Sequence, residues 1–208
     1  KDFLVGLRKL SDKYGIVLIF DEIVSGFRSD LGGAQKKYNV KPDLSTFGKG
    51  MANGMPISAI VGKREIVLLM NKIFFSGTFG GEALSIAAAI ATIKKLVDKN
   101  APLIFKKLGR SYVKDINNLI KKHYLNDIVE MKGVDWRPII ACRSIDKPTD
   151  LEITRLFRQE LLKHGIIMGS GINLCLAHND EKIIKKTLRI FEKSLYNLHH
   201  HLGIFFLE

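Results

Sequence analysis

Between Gly15 and Gly54 the chain reads GIVLIFDEIVSGFRSDLGGAQKKYNVKPDLSTFGKGMANG, and no other stretch limits the fold as much. Its opening run, Ile16 to Phe20, is short, uninterrupted by polar residues and rich in β-branched side chains. That is the pattern of a parallel strand buried on both faces. Asp21 and Glu22 follow it directly. In open α/β sheets the carboxyl ends of the strands face the ligand crevice, so a carboxylate placed there can meet a bound molecule. As a bare feature, the same pair also fits a solvated turn.

The second half of the stretch holds Lys49 in FGKGMANGMP, among Gly48, Gly50 and Gly54. Glycine lets backbone approach a ligand closely and adopt positive φ, neither of which an ordinary surface lysine needs. A short strand, Leu44 to Phe47, introduced by Pro42 and Asp43, would deliver Lys49 to the sheet edge that carries Asp21. DEIVSGFR, then GGAQKKYNVKPDL, then the glycine-flanked lysine and GMP resemble the class III aminotransferases. These are pyridoxal-phosphate enzymes that include glutamate-1-semialdehyde aminomutase. The similarity runs from Asp2 through Leu96 and is weaker beyond. Its weight lies in several spaced blocks in one order, which a lone Asp or Lys would not have.

The resemblance implies roles for particular residues. Lys49 would be the Schiff-base lysine that holds pyridoxal phosphate, which requires an amine able to lose its proton near neutral pH, as desolvation in a buried, glycine-lined pocket promotes. Asp21 would pair with the protonated pyridine nitrogen, and Ile23 would pack on the ring face, with a plain core role as its equal alternative. Thr78, in SGTFGG, matches a family threonine that reaches the cofactor phosphate from the neighbouring subunit. The active site would then be shared across a homodimer. Where many class III members place Asn-Pro after this threonine, the chain has Glu82 and Ala83, and FGGEALS looks closer to aminomutase-like aminotransferases of sugar and natural-product pathways. Glu82 reads as the N-terminal cap of the next helix in preference to a substrate contact.

The remaining elements follow from periodicity. Asp2 to Tyr14 reads as an amphipathic helix stopped by Gly15. Ser25 to Val40 reads as a loop with a short helix at Ala34 to Tyr38, Ser58 to Val61 as an antiparallel strand, and Lys63 to Asn71 as a helix. After the apolar and glycine-rich segment Ile73 to Glu82, an alanine-rich helix runs from Leu84 to about Asn100, and Pro102 restarts one to about Tyr124. Asp127 to Met131 and Pro138 to Arg143 alternate like antiparallel strands around a turn at Gly133 to Arg137. A helix from Asp150 to His164, a short strand at Ile166 to Met168 and a final helix capped by Asn179 or Asp180 complete the pattern. The tail from His199 reads as an edge strand or a disordered end, with its three histidines lacking the carboxylate partners a metal site would need.

Composition narrows the function classes. With 208 residues and 46% hydrophobic content the chain can bury a core. The net charge of +12 comes from lysines spread through helices, which fits solvated faces better than a nucleic-acid surface with clustered bases and aromatics. Cys142 and Cys175 have no metal or disulfide spacing and read as buried thiols of a reducing compartment. No run reaches the roughly 18 to 20 apolar residues that span a bilayer, and no signal peptide is visible, so a cytoplasmic location is expected.

The fold expected is α/β: residues 1–100 form the second half of the large domain of a pyridoxal-phosphate transferase, with a mixed, mostly parallel sheet, and residues 101–208 a small α+β domain. The family's first half, with its phosphate loop and ring-stacking aromatic, has no counterpart here, and the chain opens without methionine inside a helical pattern. A truncated or separately encoded half is therefore expected. The expected reaction moves an amino group from a small-molecule donor to an aldehyde or ketone acceptor. The alternatives are a glutamate-1-semialdehyde 2,1-aminomutase and a catalytically silent fragment. No arginine can be assigned to a substrate carboxylate, Arg28, Arg137 and Arg143 being candidates.

Overall fold

The computed structural model describes residues 2–74, 76–144, 147–169 and 171–203. The chain divides into two compact units, Lys1–Leu103 and Ile104–Glu208. In the first, α1 (Asp2–Tyr14) leads into β1 (Ile19–Asp21), and Gly15 at φ +63° turns the chain as a helix-terminating glycine should. α2 (Gly33–Tyr38) precedes β2 (Leu44–Phe47), and β3 (Ala59–Gly62) precedes α3 (Arg64–Val67) with its 3₁₀ extension Leu68–Lys72. The strands form a mixed sheet in the order β1-β2-β3, with β1 parallel and β3 antiparallel to β2. α4 (Ala83–Asp98) closes the unit.

The strand after Gly15 differs from its expected form. It begins at Ile19, and Ile16, Val17 and Ile19 are 58%, 47% and 54% exposed. Phe20 faces the core while Ile19 and Asp21 share the open face, so β1 is half-buried. The reason is its surroundings: among the described residues β2 is its only neighbouring strand, and nothing covers the second face. Asp43, at the entrance to β2, ties the unit together. Its buried carboxylate accepts from Arg8 Nη1 of α1 at 2.9 Å, Lys63 Nζ at 2.6 Å and the Leu18 amide at 2.7 Å.

The second unit is built on the hairpin of β4 (Val129–Val134) and β5 (Arg137–Cys142), joined by the two-residue turn Asp135-Trp136. The expected turn, Gly133 to Arg137, was too wide by the flanking residues. α5 (Ala101–Lys122) reaches the hairpin through Asn117, whose side chain bonds both the N–H and the C=O of Met131 at 2.8 Å. α6 (Asp150–Lys163) and α7 (Glu181–His201) pack with Phe157 against Phe191, ring centroids 6.0 Å apart. Glu160, 1% exposed, joins them by accepting from Lys163 Nζ at 2.6 Å and Asn197 Nδ2 at 2.7 Å.

No strand forms at Ile166 to Met168, which have no ladder partner among the described residues. α7 continues through all three histidines in place of the expected strand or disordered end, and its Asp180 cap is as expected. The last five residues, and Phe75 of the segment expected before α4, lie outside the described residues. Among the described residues no helix is long and apolar enough to cross a membrane, and no cluster of His, Cys, Asp and Glu could hold a metal ion. The cysteines also differ from expectation: Cys142 is only partly buried and Cys175 is exposed.

Candidate functional site

Parallel pairing of β1 with β2 sets Asp21 opposite Thr46, so their carboxyl ends share one edge of the sheet. Lys49 follows β2 by two residues, in the 3₁₀ turn Lys49–Met51. The sequence therefore delivers both groups to one edge, as expected. Asp21 Oδ1 accepts from the Ile23 amide at 3.0 Å and from the Thr46 hydroxyl at 3.3 Å. Oδ2 takes no bond among the described residues. Thr46 went unremarked in the sequence, because its place opposite Asp21 depends on a strand register that the sequence does not print.

Lys49 adopts φ +41°, a left-handed conformation that side chains other than glycine seldom take and that concentrates at functional sites. What holds it there lies behind the turn. Met51 and Ala52 are buried in a small core with Ala88 and Ala89 of α4, Phe27 and Phe47. The alanines of α4 admit this close approach. Ile23 lies beside the lysine turn, its Cγ2 3.8 Å from where a Cβ on Gly48 would sit. Arg28 stands on the other side, its Nη2 3.6 Å from the corresponding point on Gly50.

Glu22 has a different task from Asp21. It is buried, accepts from Ser25 Oγ at 2.5 Å and from the Gln35 amide at 3.2 Å, and so fixes the loop that carries Phe27 and Arg28. Gly33 is required beside it, since a Cβ there would collide with the Glu22 carboxylate at φ +70°.

One expectation for Lys49 is corrected: its side chain is exposed, not enclosed in a buried pocket, because the described residues that pack on the turn bury Met51 and Ala52 and leave the lysine itself open. Thr78 is brought together with a different set. It lines a cavity of about 930 Å³ with Ser58, Ile60, Met70, Gly77 and Gly81, and neither Asp21 nor Lys49 is among the lining residues. Glu82 caps α4, accepting from the Leu84 and Ser85 amides at 2.7 Å; the Ser85 hydroxyl and those amides hold its carboxyl below the usual range. Arg143 pairs with Glu130 at 2.9 Å in the hairpin, a structural role.

A lysine and a carboxylate thus stand together at the carboxyl edge of two adjacent parallel strands. The chain belongs to the class III aminotransferase family, whose model matches residues 1–186. It is 42% identical over 195 residues to a glutamate-1-semialdehyde 2,1-aminomutase of Saccharolobus islandicus, covering 88% of this chain and 45% of that one. It is 36% identical over 184 residues to a 3-aminobutyryl-CoA aminotransferase of Cloacimonas acidaminovorans, covering 87% and 44%. A solved structure described as a transaminase with PLP bound superposes with a TM-score of 0.87 at 25% identity, over 97% of this chain and 49% of that one. The chain thus spans about half the length of the curated relatives it matches.

Proposed function

We propose that this chain supplies the lysine and carboxylate side of a pyridoxal-phosphate site that moves an amino group from a small-molecule donor to an aldehyde or ketone acceptor. The observation that carries the reading is Lys49 in its left-handed turn, on the sheet edge where Asp21 keeps one oxygen without a partner among the described residues. The residues fit the group. A Cβ on Gly48 or Gly50 would meet nothing nearer than 3.6 Å, so the backbone on either side of the lysine is uncrowded, and an amine and a half-free carboxylate are the donor set such a cofactor needs.

When bound, pyridoxal phosphate supplies an electron sink for the electrons released at the substrate carbon bearing the amine. Asp21, oriented by the Ile23 amide and Thr46, would hold the proton on the ring nitrogen, since an adjacent carboxylate favours the charged form of its partner. Lys49 Nζ would attach the cofactor between turnovers and, once released, take a proton from the substrate carbon and return it as acid. Ile23 would rest against the ring face, and Thr78 would reach the phosphate of a neighbouring subunit's site in a homodimer. Polypeptide beyond this chain would enclose the amine. As part of this reading we place the chain in the cytoplasm.

A second reading, the 2,1-aminomutase, is favoured by the name of the relative at 42% identity. It keeps the roles of Lys49 and Asp21 and retains the intermediate until the nitrogen is returned to a neighbouring carbon. Following labelled nitrogen between two molecules or within one separates the two reactions.

The reading is tested by borohydride reduction of the protein incubated with pyridoxal phosphate, followed by peptide mapping. A pyridoxyl adduct confined to Lys49, and lost in Lys49→Ala, is expected. Labelling scattered over many lysines, or unchanged in the variant, overturns it for this chain and favours a catalytically silent fragment.

A further inference from the structure

Basic residues that lie scattered along the last part of the sequence are gathered on one side of α7. Lys182, Lys185, Lys186, Arg189 and Lys193 fall within an arc of about 100° at 3.6 residues per turn, over about 17 Å of helix. All five are exposed, and with His164, the residue that ends α6, they line a cavity of about 570 Å³. No carboxylate lines it among the described residues. α7 has two acidic residues, and both lie outside the arc: Glu181 pairs with Lys185 at 2.6 Å, and Glu192 pairs with Lys122 of α5 at 2.6 Å. Lys182, Lys186, Arg189 and Lys193 have no carboxylate partner among the described residues.

A solvated helix face usually intersperses acids with bases, and this one does not. Lys182 and Lys186, Lys185 and Arg189, and Arg189 and Lys193 are like charges four residues apart, which repel. Lys182, Lys185 and Lys186 also stand in the first two turns, at the positive end of the helix dipole, where anions are favoured. An anion seated on the face would relieve both effects. His164 adds a second observation: its Nε2 is buried and takes no hydrogen bond among the described residues, whereas buried polar groups ordinarily have a partner.

We propose that this face of α7 is a binding site for small polyphosphates, molecules that carry two or more linked phosphates. Lysine meets phosphate as a compact point charge, so a row of lysines suits a ligand with several charges in a row. The cavity has the volume of a small-molecule site, and its concave form does not match the convex surface of a duplex. No aromatic side chain lines it on which an unpaired base could stack. The site therefore reads phosphates and not the group they are attached to, a chemistry shared by free polyphosphate and by nucleotides. It lies wholly in the second unit and uses neither Lys49 nor Asp21, so it stands independently of the amino-transfer reading.

The test is isothermal titration calorimetry of the full chain with sodium triphosphate. A saturable site is expected, weakening as salt is raised. Adenosine triphosphate should bind within about threefold of triphosphate, adenosine not at all, and inorganic monophosphate at least about tenfold more weakly, since it meets fewer of the cations. Lys186→Gln with Arg189→Gln removes two cations from the middle of the face and should weaken triphosphate at least about tenfold. Lys106→Gln with Lys107→Gln, at exposed positions of α5 outside the face, lowers the net charge equally and should leave the affinity within about twofold. All four positions are exposed and glutamine is a good helix former, so both variants keep the fold. Equal weakening in the two variants would mean that net charge alone attracts the ligand, and overturns the site. So would the lack of a saturable heat, monophosphate binding as tightly as triphosphate, or adenosine binding by itself. A duplex oligonucleotide bound more tightly than triphosphate, and released by Lys186→Gln with Arg189→Gln, would overturn the small-ligand site in favour of a nucleic-acid surface.

Discussion

Asp43 gathers donors from α1, from the residue before β1 and from the residue after β3, and nothing in its sequence neighbourhood, KPDL, announces this. Its carboxyl is held well below the usual range, first by Lys63, then by the Leu18 amide and Arg8. A lowered pKa contributes stability that is complete above the unfolded-state value near about 3.9 and is lost as pH falls toward the folded-state value. Asp43→Asn should therefore destabilise the first unit by about 2 kcal/mol at neutral pH, since the buried side chain loses the charge-assisted hydrogen bonds it accepts from two partly exposed cations and an amide. In urea unfolding the gap between variant and parent should shrink once pH drops below about 3.9, where Asp43 of the unfolded parent begins to take up a proton while the folded form still holds it ionised. A gap of constant size down to acid pH would rule out the charge as its source. Asp21 and Lys49 were legible because strand ends and glycines mark them locally. Asp43, Glu22 and Thr46 were not, because each takes its meaning from residues that only the fold brings near.

Among the elements, helix starts were read best, since the signal for a start is carried by the few residues that make it. Asp180 accepts from the Lys182 amide at 2.7 Å and the Ile183 amide at 3.1 Å, satisfying donors that α7 cannot satisfy itself. Asp180→Ala should cost the second unit about 1 kcal/mol, whereas Asp180→Ser, which keeps a capping oxygen, should recover most of it. Thermal unfolding of the three proteins checks this; equal losses for alanine and serine would mean that the cap is not the source. Strands were read less well. Ile16 to Phe20 has the composition of a strand covered on both faces, but cover depends on what lies alongside, and here β1 has β2 alone among the described residues. Ile166 to Met168 has strand-like composition as well, and a strand without a partner does not form.

At the scale of the molecule, burial is divided unevenly between the two units. Among the described residues the largest fully buried apolar side chains, including Phe157, Phe191, Ile116, Met131, Leu174 and Leu195, all belong to the second. In the first, Glu22 is the large side chain buried to that degree, while Ile16, Val17, Ile19, Leu69, Ile73 and Phe74 are exposed. Each fully buried large apolar side chain is worth about 2 kcal/mol, so the two units should differ in their resistance to opening. Amides of α5, α6, α7 and the hairpin should be the slowest to exchange, with those of α1 and β1 faster, because exchange from a thinly packed unit needs only local opening. Hydrogen exchange followed by mass spectrometry along a urea series should therefore show the peptides of residues 2–74 losing protection at lower urea than those of 104–144. A single transition shared by both sets would mean that the units unfold as one body, and that the exposed apolar residues of the first draw their stability from somewhere other than its own core.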